Sequence, residues 1–434
     1  MKKINIFFDK HFPLILIIFL FIQPILDLIT SMEINVLHVG TSIGSITRLL
    51  FLGLSIYYLI FIDKNKHKIK LSLLFIYLVL FSITTIYSKD FNIFPTEFKN
   101  VLNTLYIIPV LLMLVDLFKE KKINFDLNKL IIIYLTYIIL VFIPNITNTG
   151  YLSYYHSKVG TVGWFLSANA IGNILCILTP FMILFLLKSK INIIFKLLIT
   201  LATCYVFVSM GTKVPVLGLG ISVMVNTIYF MIKWIKEKKY KLFISLASAG
   251  VVAIIAAIIV IPKTSFYENI QIHKKFLGFE HYSEIFTDYK LVDHFIFSQR
   301  LTFLKNTHNN YLKTNIYEKT FGMGFIENYA TDNVSDKTIE IDYFEVFYRN
   351  GIIGCILYFI ILIPFIVKYF KTKYEGIESV EFKLSMVLIL LLALFSGHVL
   401  VTPAVSIYVA LIIAIYINKD SYKYFIKEKK ETSK

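Results

Sequence analysis

The sequence predicts an all-α polytopic membrane protein of about 12 transmembrane helices, with one long helical extracytoplasmic loop before the tenth. Composition is the first reason: hydrophobic residues fill 57% of 434 positions and the mean hydropathy is +0.71, whereas soluble domains use roughly 45–50% apolar residues. Length of the apolar runs is the second, because a bilayer crossing needs about 20 mostly apolar residues. The third is the placement of lysine, which alternates with those runs as cytoplasmic loops require.

In chain order the runs lie near 13–30, 43–62, 71–88, 98–117, 130–147, 166–187, 193–210, 215–236, 243–262, 350–368, 384–401 and 403–418. The first has a basic start but no small-residue cleavage site, so it is expected to remain as a span. With the N-terminus inside, 29 of the 44 Lys and Arg fall in the N-terminal segment, in the loops near 64–70, 119–129, 188–196, 233–241 and 368–383, and in the tail from Lys419. The short loops of the other side hold four, Lys89, Lys99, Lys158 and Lys213. Both termini are therefore expected in the cytoplasm of a multi-pass plasma-membrane protein.

This pattern divides the chain into helices 1–9 over 1–262, an extracytoplasmic loop over 263–349, helices 10–12 over 350–418 and a basic tail over 419–434. The loop is too long for a passive connector. Its aromatic residues, Phe266, Tyr267, Phe276 and Phe279 among them, give it enough apolar area to fold as short helices over the outer surface. The formal charge of +16 is a topology signal, and no nucleic-acid partner is expected. Cys176, Cys204 and Cys355 lie in predicted spans, which excludes a disulfide framework.

Ionisable groups in or beside spans are costly and are functional candidates by default. The chain has three arginines, Arg48, Arg300 and Arg349, and all fall on the extracytoplasmic half of this topology. A planar bidentate donor suits phosphate. The structural readings are snorkelling for Arg48 and an i,i+4 pair with Glu345 for Arg349.

The stretch FSQRLTFL, with Arg300, precedes Gly322-Met323-Gly324, and Gly351-Ile352-Ile353-Gly354 opens the tenth span. Earlier in the chain stand FIQPILDLITS, GTVGWFLSANAIGNI and GTKVPVLGLG. In this order the motifs resemble the O-antigen ligase and polymerase family, membrane glycosyltransferases that use lipid-diphosphate-linked sugars. In that family a histidine stands eleven residues before the Gly-x-x-Gly; here that position is Glu340, and His308-Asn309 lies ahead of the Gly-x-Gly turn without the required spacing.

The resemblance implies that Glu340 is the general base, with Asp342 either raising its basicity or orienting the acceptor; the plainer reading of both is a pair of solvated loop charges. It implies that Arg48, Lys213, Arg300 and Arg349 hold the diphosphate, Lys213 standing where the family has an arginine. Trp164 and Asn169 would line the cavity, although a buried structural asparagine fits as well. His273, His281, His294 and His308 are scattered and no Asp-x-Asp is present, so an inverting, metal-independent transfer without cofactors is expected. The implied partners are a polyprenyl-diphosphate-linked glycan donor, a glycan acceptor, the lipid bilayer and a chain-length regulator. Heavy use of Lys, Ile, Asn, Phe and Tyr tilts the reading toward a polymerase of capsule, exopolysaccharide or wall glycan rather than a ligase. The competing reading is a lipid-linked-oligosaccharide flippase or other transporter, for which internal repeats are a common mark; none is visible.

Overall fold

The computed structural model describes residues 2–38, 42–63, 66–154, 158–326 and 339–426. The loop stretch 327–338 and the end of the expected basic tail, 427–434, lie outside them. Helices follow in the order α1 (Lys2–Asn35), α2 (Ile43–Tyr57, extended by a π turn to Ile62), α3 (Lys68–Ser88), α4 (Phe94–Leu105), α5 (Ile107–Lys119), α6 (Leu127–Ile146), α7 (Ala168–Lys188), α8 (Ile193–Ser209), α9 (Lys213–Lys236) and α10 (Tyr240–Val260). The loop contributes α11 (Ser265–Leu277), α12 (Tyr289–Leu291), α13 (Arg300–Lys313) and α14 (Ile316–Phe321), and the chain ends with α15 (Asp342–Lys371), α16 (Ile377–Phe395), α17 (Pro403–Ile417) and α18 (Lys419–Ile426). Among the described residues no strand forms, only an isolated bridge between Leu152 and Thr161.

Nine of these segments are long and apolar enough to cross a membrane, α4 and α5 counting as one. The 17-residue α8, the 19-residue α16 with its Glu378, Glu381 and Lys383, and the 15-residue α17 occupy the other three predicted positions. Each of the twelve predicted runs thus falls on one helix or, for 98–117, on the α4–α5 pair.

Two ends differ from expectation, and both matter for the site. The eleventh run stops at Phe395 rather than 401, because Gly397 and His398 take left-handed backbone angles (φ 66° and 59°). The tenth helix begins at Asp342 rather than 350 and is broken at Gly351 (φ 67°, ψ −179°). A Cβ on Gly351 would lie 2.4 Å from the Gly322 backbone nitrogen and 2.7 Å from Thr320 backbone atoms. Those atoms cannot rotate away, so both the angle and the contact demand glycine. Gly351→Ala is expected to cost about 3 kcal/mol, the sum of backbone strain and overpacking, read as a drop in melting temperature of the detergent-solubilised protein.

Bilayer lipid removes the hydrophobic drive between helices, so close backbone approach takes its place. Gly218 of α9 sits against Cys176 of α7 so tightly that a Cβ would lie 2.1 Å from Sγ. The centre of the bundle is α17 packed on α5, α7 and α15. Every residue of α17 is buried, whereas none of α10 is; α10 packs mainly on α9 and presents the rest of its surface outward.

Candidate functional site

The chemistry-bearing groups converge where the N-termini of α7, α9, α15 and α17 meet the C-terminus of α16. Two loops build the centre. Glu340, in a left-handed conformation (φ 52°) just ahead of α15, places its Oε2 2.7 Å from Nη2 of Arg300, which opens α13. On its other side Oε1 lies 3.9 Å from Nε2 of His398, in the loop between α16 and α17. Arg300 is 7% exposed, also reaches the Phe297 carbonyl at 3.4 Å, and its Nε is buried without a partner.

The His398 loop is fixed from three directions. Oδ2 of Asp342 accepts the backbone N–H groups of Val399 (2.9 Å) and Leu400 (2.6 Å). The Asn173 side chain of α7 donates to the Gly397 carbonyl (2.8 Å) and pairs with Ser396 (3.1 Å). Gly397 itself lies against Glu340, where a Cβ would meet its carbonyl oxygen at 2.4 Å. Asp342 therefore anchors the loop that carries His398.

Burial would raise the Glu340 carboxyl, but the facing His398 and the Arg300 charge outweigh it and hold it below its ordinary 4.5. Burial would depress His398, but the facing Glu340 carboxylate, with the charges of Glu345 and Asp342, outweighs it and raises the imidazole above 6.5. A raised histidine contributes stability that is complete below its unfolded value and is lost as pH climbs through the folded one; a depressed carboxylate contributes stability that is lost as pH falls through its folded value. The melting temperature is thus expected to hold between 4.5 and 6.5 and to decline above. His398→Gln should remove the alkaline decline, and an unchanged decline would dissociate His398 from it.

Arg300 also lines a cavity of about 350 Å³, together with Lys158, Lys213, Asn169, Asn269 and His273 at a polar end. Its wall continues along Leu217 and Ile221 of α9 and Leu388 and Leu391 of α16. Nζ of Lys213 donates to the Phe295 carbonyl and sits 4.1 Å from the centre of that ring. Burial first, then the charges of Lys158, Lys213 and His294, push His273 down to about 4. A neutral imidazole beside these cations marks a region of positive potential, suited to a multivalent anion.

The other expected site residues are placed as follows. Asn169 lines the cavity. Trp164 does not; its Nε1 donates to Thr149 (3.1 Å). Arg349 is buried and donates to the Gly324 carbonyl (3.0 Å), bracing the Gly322–Gly324 turn together with Glu97, whose carboxylate accepts the N–H groups of Phe325 (2.6 Å) and Ile326 (2.8 Å) and pairs with Lys89 (2.5 Å). His308 hydrogen-bonds Tyr348 (3.0 Å).

Arg48 departs most from the expectation of arginines gathered on one crevice. Its Nη2 lies 2.5 Å from Asp27 and its Nε 3.0 Å from Gln23, while Tyr137 donates to the other Asp27 oxygen (2.9 Å). Arg48 is absent from the cavity lining, and its charge is already balanced inside the bundle. The sequence reading passed over Asp27 and His398, although an ionisable residue within or at the end of an apolar run is the available signal for both.

No curated protein and no solved structure matches the chain. The family model described as O-antigen ligase like membrane protein matches residues 9–284 and 281–419. Nearly the whole chain is covered, including Arg300, Glu340 and His398; the chain belongs to the O-antigen ligase-like membrane protein family.

Proposed function

We propose that the chain is a glycosyltransferase that joins polyprenyl-diphosphate-linked oligosaccharide units at the outer face of the plasma membrane, as a polymerase rather than a ligase. The observation that carries this reading is the joining of three features through Arg300: a cationic cavity end, an apolar wall between α9 and α16, and the Glu340–His398 pair. Such a cavity fits a ligand with an anionic head and a hydrocarbon tail.

In this reading Lys213 and Arg300, with Lys158 beside them, take the donor diphosphate, and the α9–α16 wall takes the first part of the lipid. The acceptor hydroxyl enters next to Glu340. Two atoms 3.9 Å apart leave room for one hydroxyl oxygen within hydrogen-bond reach of both Glu340 and His398. Glu340 removes its proton, the oxygen attacks the anomeric carbon from the face opposite the diphosphate, and the configuration inverts. The charge that develops on the leaving diphosphate is met by these cations rather than by a divalent metal.

Glu340 is a weak base while Arg300 holds it. Arrival of a diphosphate draws the guanidinium charge toward itself and lessens its hold on the carboxylate, so basicity rises only when a donor is bound. The direct experiment is reconstitution into proteoliposomes with a polyprenyl-diphosphate oligosaccharide. A ladder of glycan products with release of polyprenyl diphosphate is expected. Passage of intact donor across the bilayer with no new glycosidic bond would instead identify a flippase.

A further inference from the structure

We infer that Asp63, His67 and Asp116 form a binding site for one first-row divalent cation, of which Zn²⁺ is the best fit, stapling the α2–α3 connection to the end of α5. The site stands apart from the cavity above. Asp116 lies near the end of α5, where Phe118 accepts a hydrogen bond from Ser421 of α18 (3.4 Å). Because α18 follows α17, the length of that helix, roughly 20 Å at 1.5 Å per residue, separates this end from His398.

One nitrogen or oxygen from each of Asp63, His67 and Asp116 lies within 4.8 Å of the other two. Both carboxylates are deep, 3% and 4% exposed. Lys66 grips Oδ1 of Asp63 at 2.5 Å, which fixes the carboxylate, while Oδ2 is buried with no hydrogen-bond partner. His67 Nε2 lies 2.6 Å from Oδ2 of Asp116. A buried carboxylate oxygen left without a donor is costly, and this one faces the position a cation would take between the three side chains.

Charge counting gives the valence. The connected ion-pair network among the described residues holds four carboxylates, Asp9, Asp63, Asp116 and Glu120, and two lysines, Lys66 and Lys122. These four carboxylates and two lysines sum to −2, and one divalent ion restores neutrality. Neutral imidazole is the form that ligates a metal. One imidazole nitrogen and two carboxylate oxygens suit Zn²⁺ better than Mg²⁺ or Ca²⁺, which prefer oxygen-only sets.

The test uses the full chain, purified in detergent and stripped with chelator. After equilibration with Zn²⁺ and removal of free ion, elemental analysis is expected to find one Zn²⁺ per chain, with a rise in melting temperature that Mg²⁺ does not produce. Asp63→Asn and His67→Gln should each weaken binding at least tenfold. The stripped wild type loaded with Co²⁺ should show the visible d–d absorption of a low-coordinate N/O site, a readout that survives if either variant fails to fold. Zinc content at the buffer level, undiminished binding in both variants, or absence of the Co²⁺ band would overturn the site.

Discussion

Glu340→Gln is expected to lower glycan-chain formation by about 10²–10⁴-fold, the range that a positioned proton acceptor supplies, while donor affinity changes only a few-fold. Glutamine keeps the volume of the side chain and an oxygen to accept from Arg300 Nη2, now 2.7 Å from the carboxylate, so the surrounding loops have no reason to rearrange. What is lost is the lone pair able to take a proton. Turnover in proteoliposomes, set beside donor binding by the same preparation, separates these effects. Near-wild-type turnover by a folded Glu340→Gln protein would eliminate the carboxylate as base and move the proton to His398. Asp342→Asn does not substitute for this test, because Asp342 holds the Val399 and Leu400 amides and its loss would disturb His398 indirectly.

The spans were legible because each is a run of apolar residues long enough to cross a bilayer, and no alternative fold can satisfy the backbone of such runs in lipid. Their neighbours were not legible. The α10 and α17 sequences are both largely apolar on all sides, yet no residue of α10 is buried and every residue of α17 is. With apolar lipid on one side and apolar helix on the other, periodicity carries no direction. Partners of charged groups were hidden for a related reason. Arg48 finds Asp27 twenty-one residues away on the preceding helix, and Glu340 finds His398 across two helices; each pairing is a product of packing. Glycines were more informative. The motif residues Gly322 and Gly351, far apart in sequence, touch backbone to backbone at the break in α15, next to Arg349.

Arg300→Ala is expected to lose about 10²–10³-fold in kcat on top of weaker donor binding, because a preorganised donor at a developing charge has that worth. Arg300→Lys should recover only part of the loss, since an ammonium keeps the charge but cannot span two oxygens. A purely structural arginine would give the same loss of activity, so the distinguishing measurement is the pH dependence of kcat/KM, which reports groups of the free enzyme. In the wild type the Arg300 charge is one of the two influences, after His398, that hold Glu340 below 4.5 against burial. Removing it leaves burial opposed by His398 alone, and the carboxyl must move up. The acid limb of the profile should therefore shift to higher pH in Arg300→Ala and return toward the wild-type position in Arg300→Lys. An acid limb that stays in place in both variants would mean that Arg300 does not act on Glu340, and that the diphosphate and the proton acceptor are not coupled through this guanidinium.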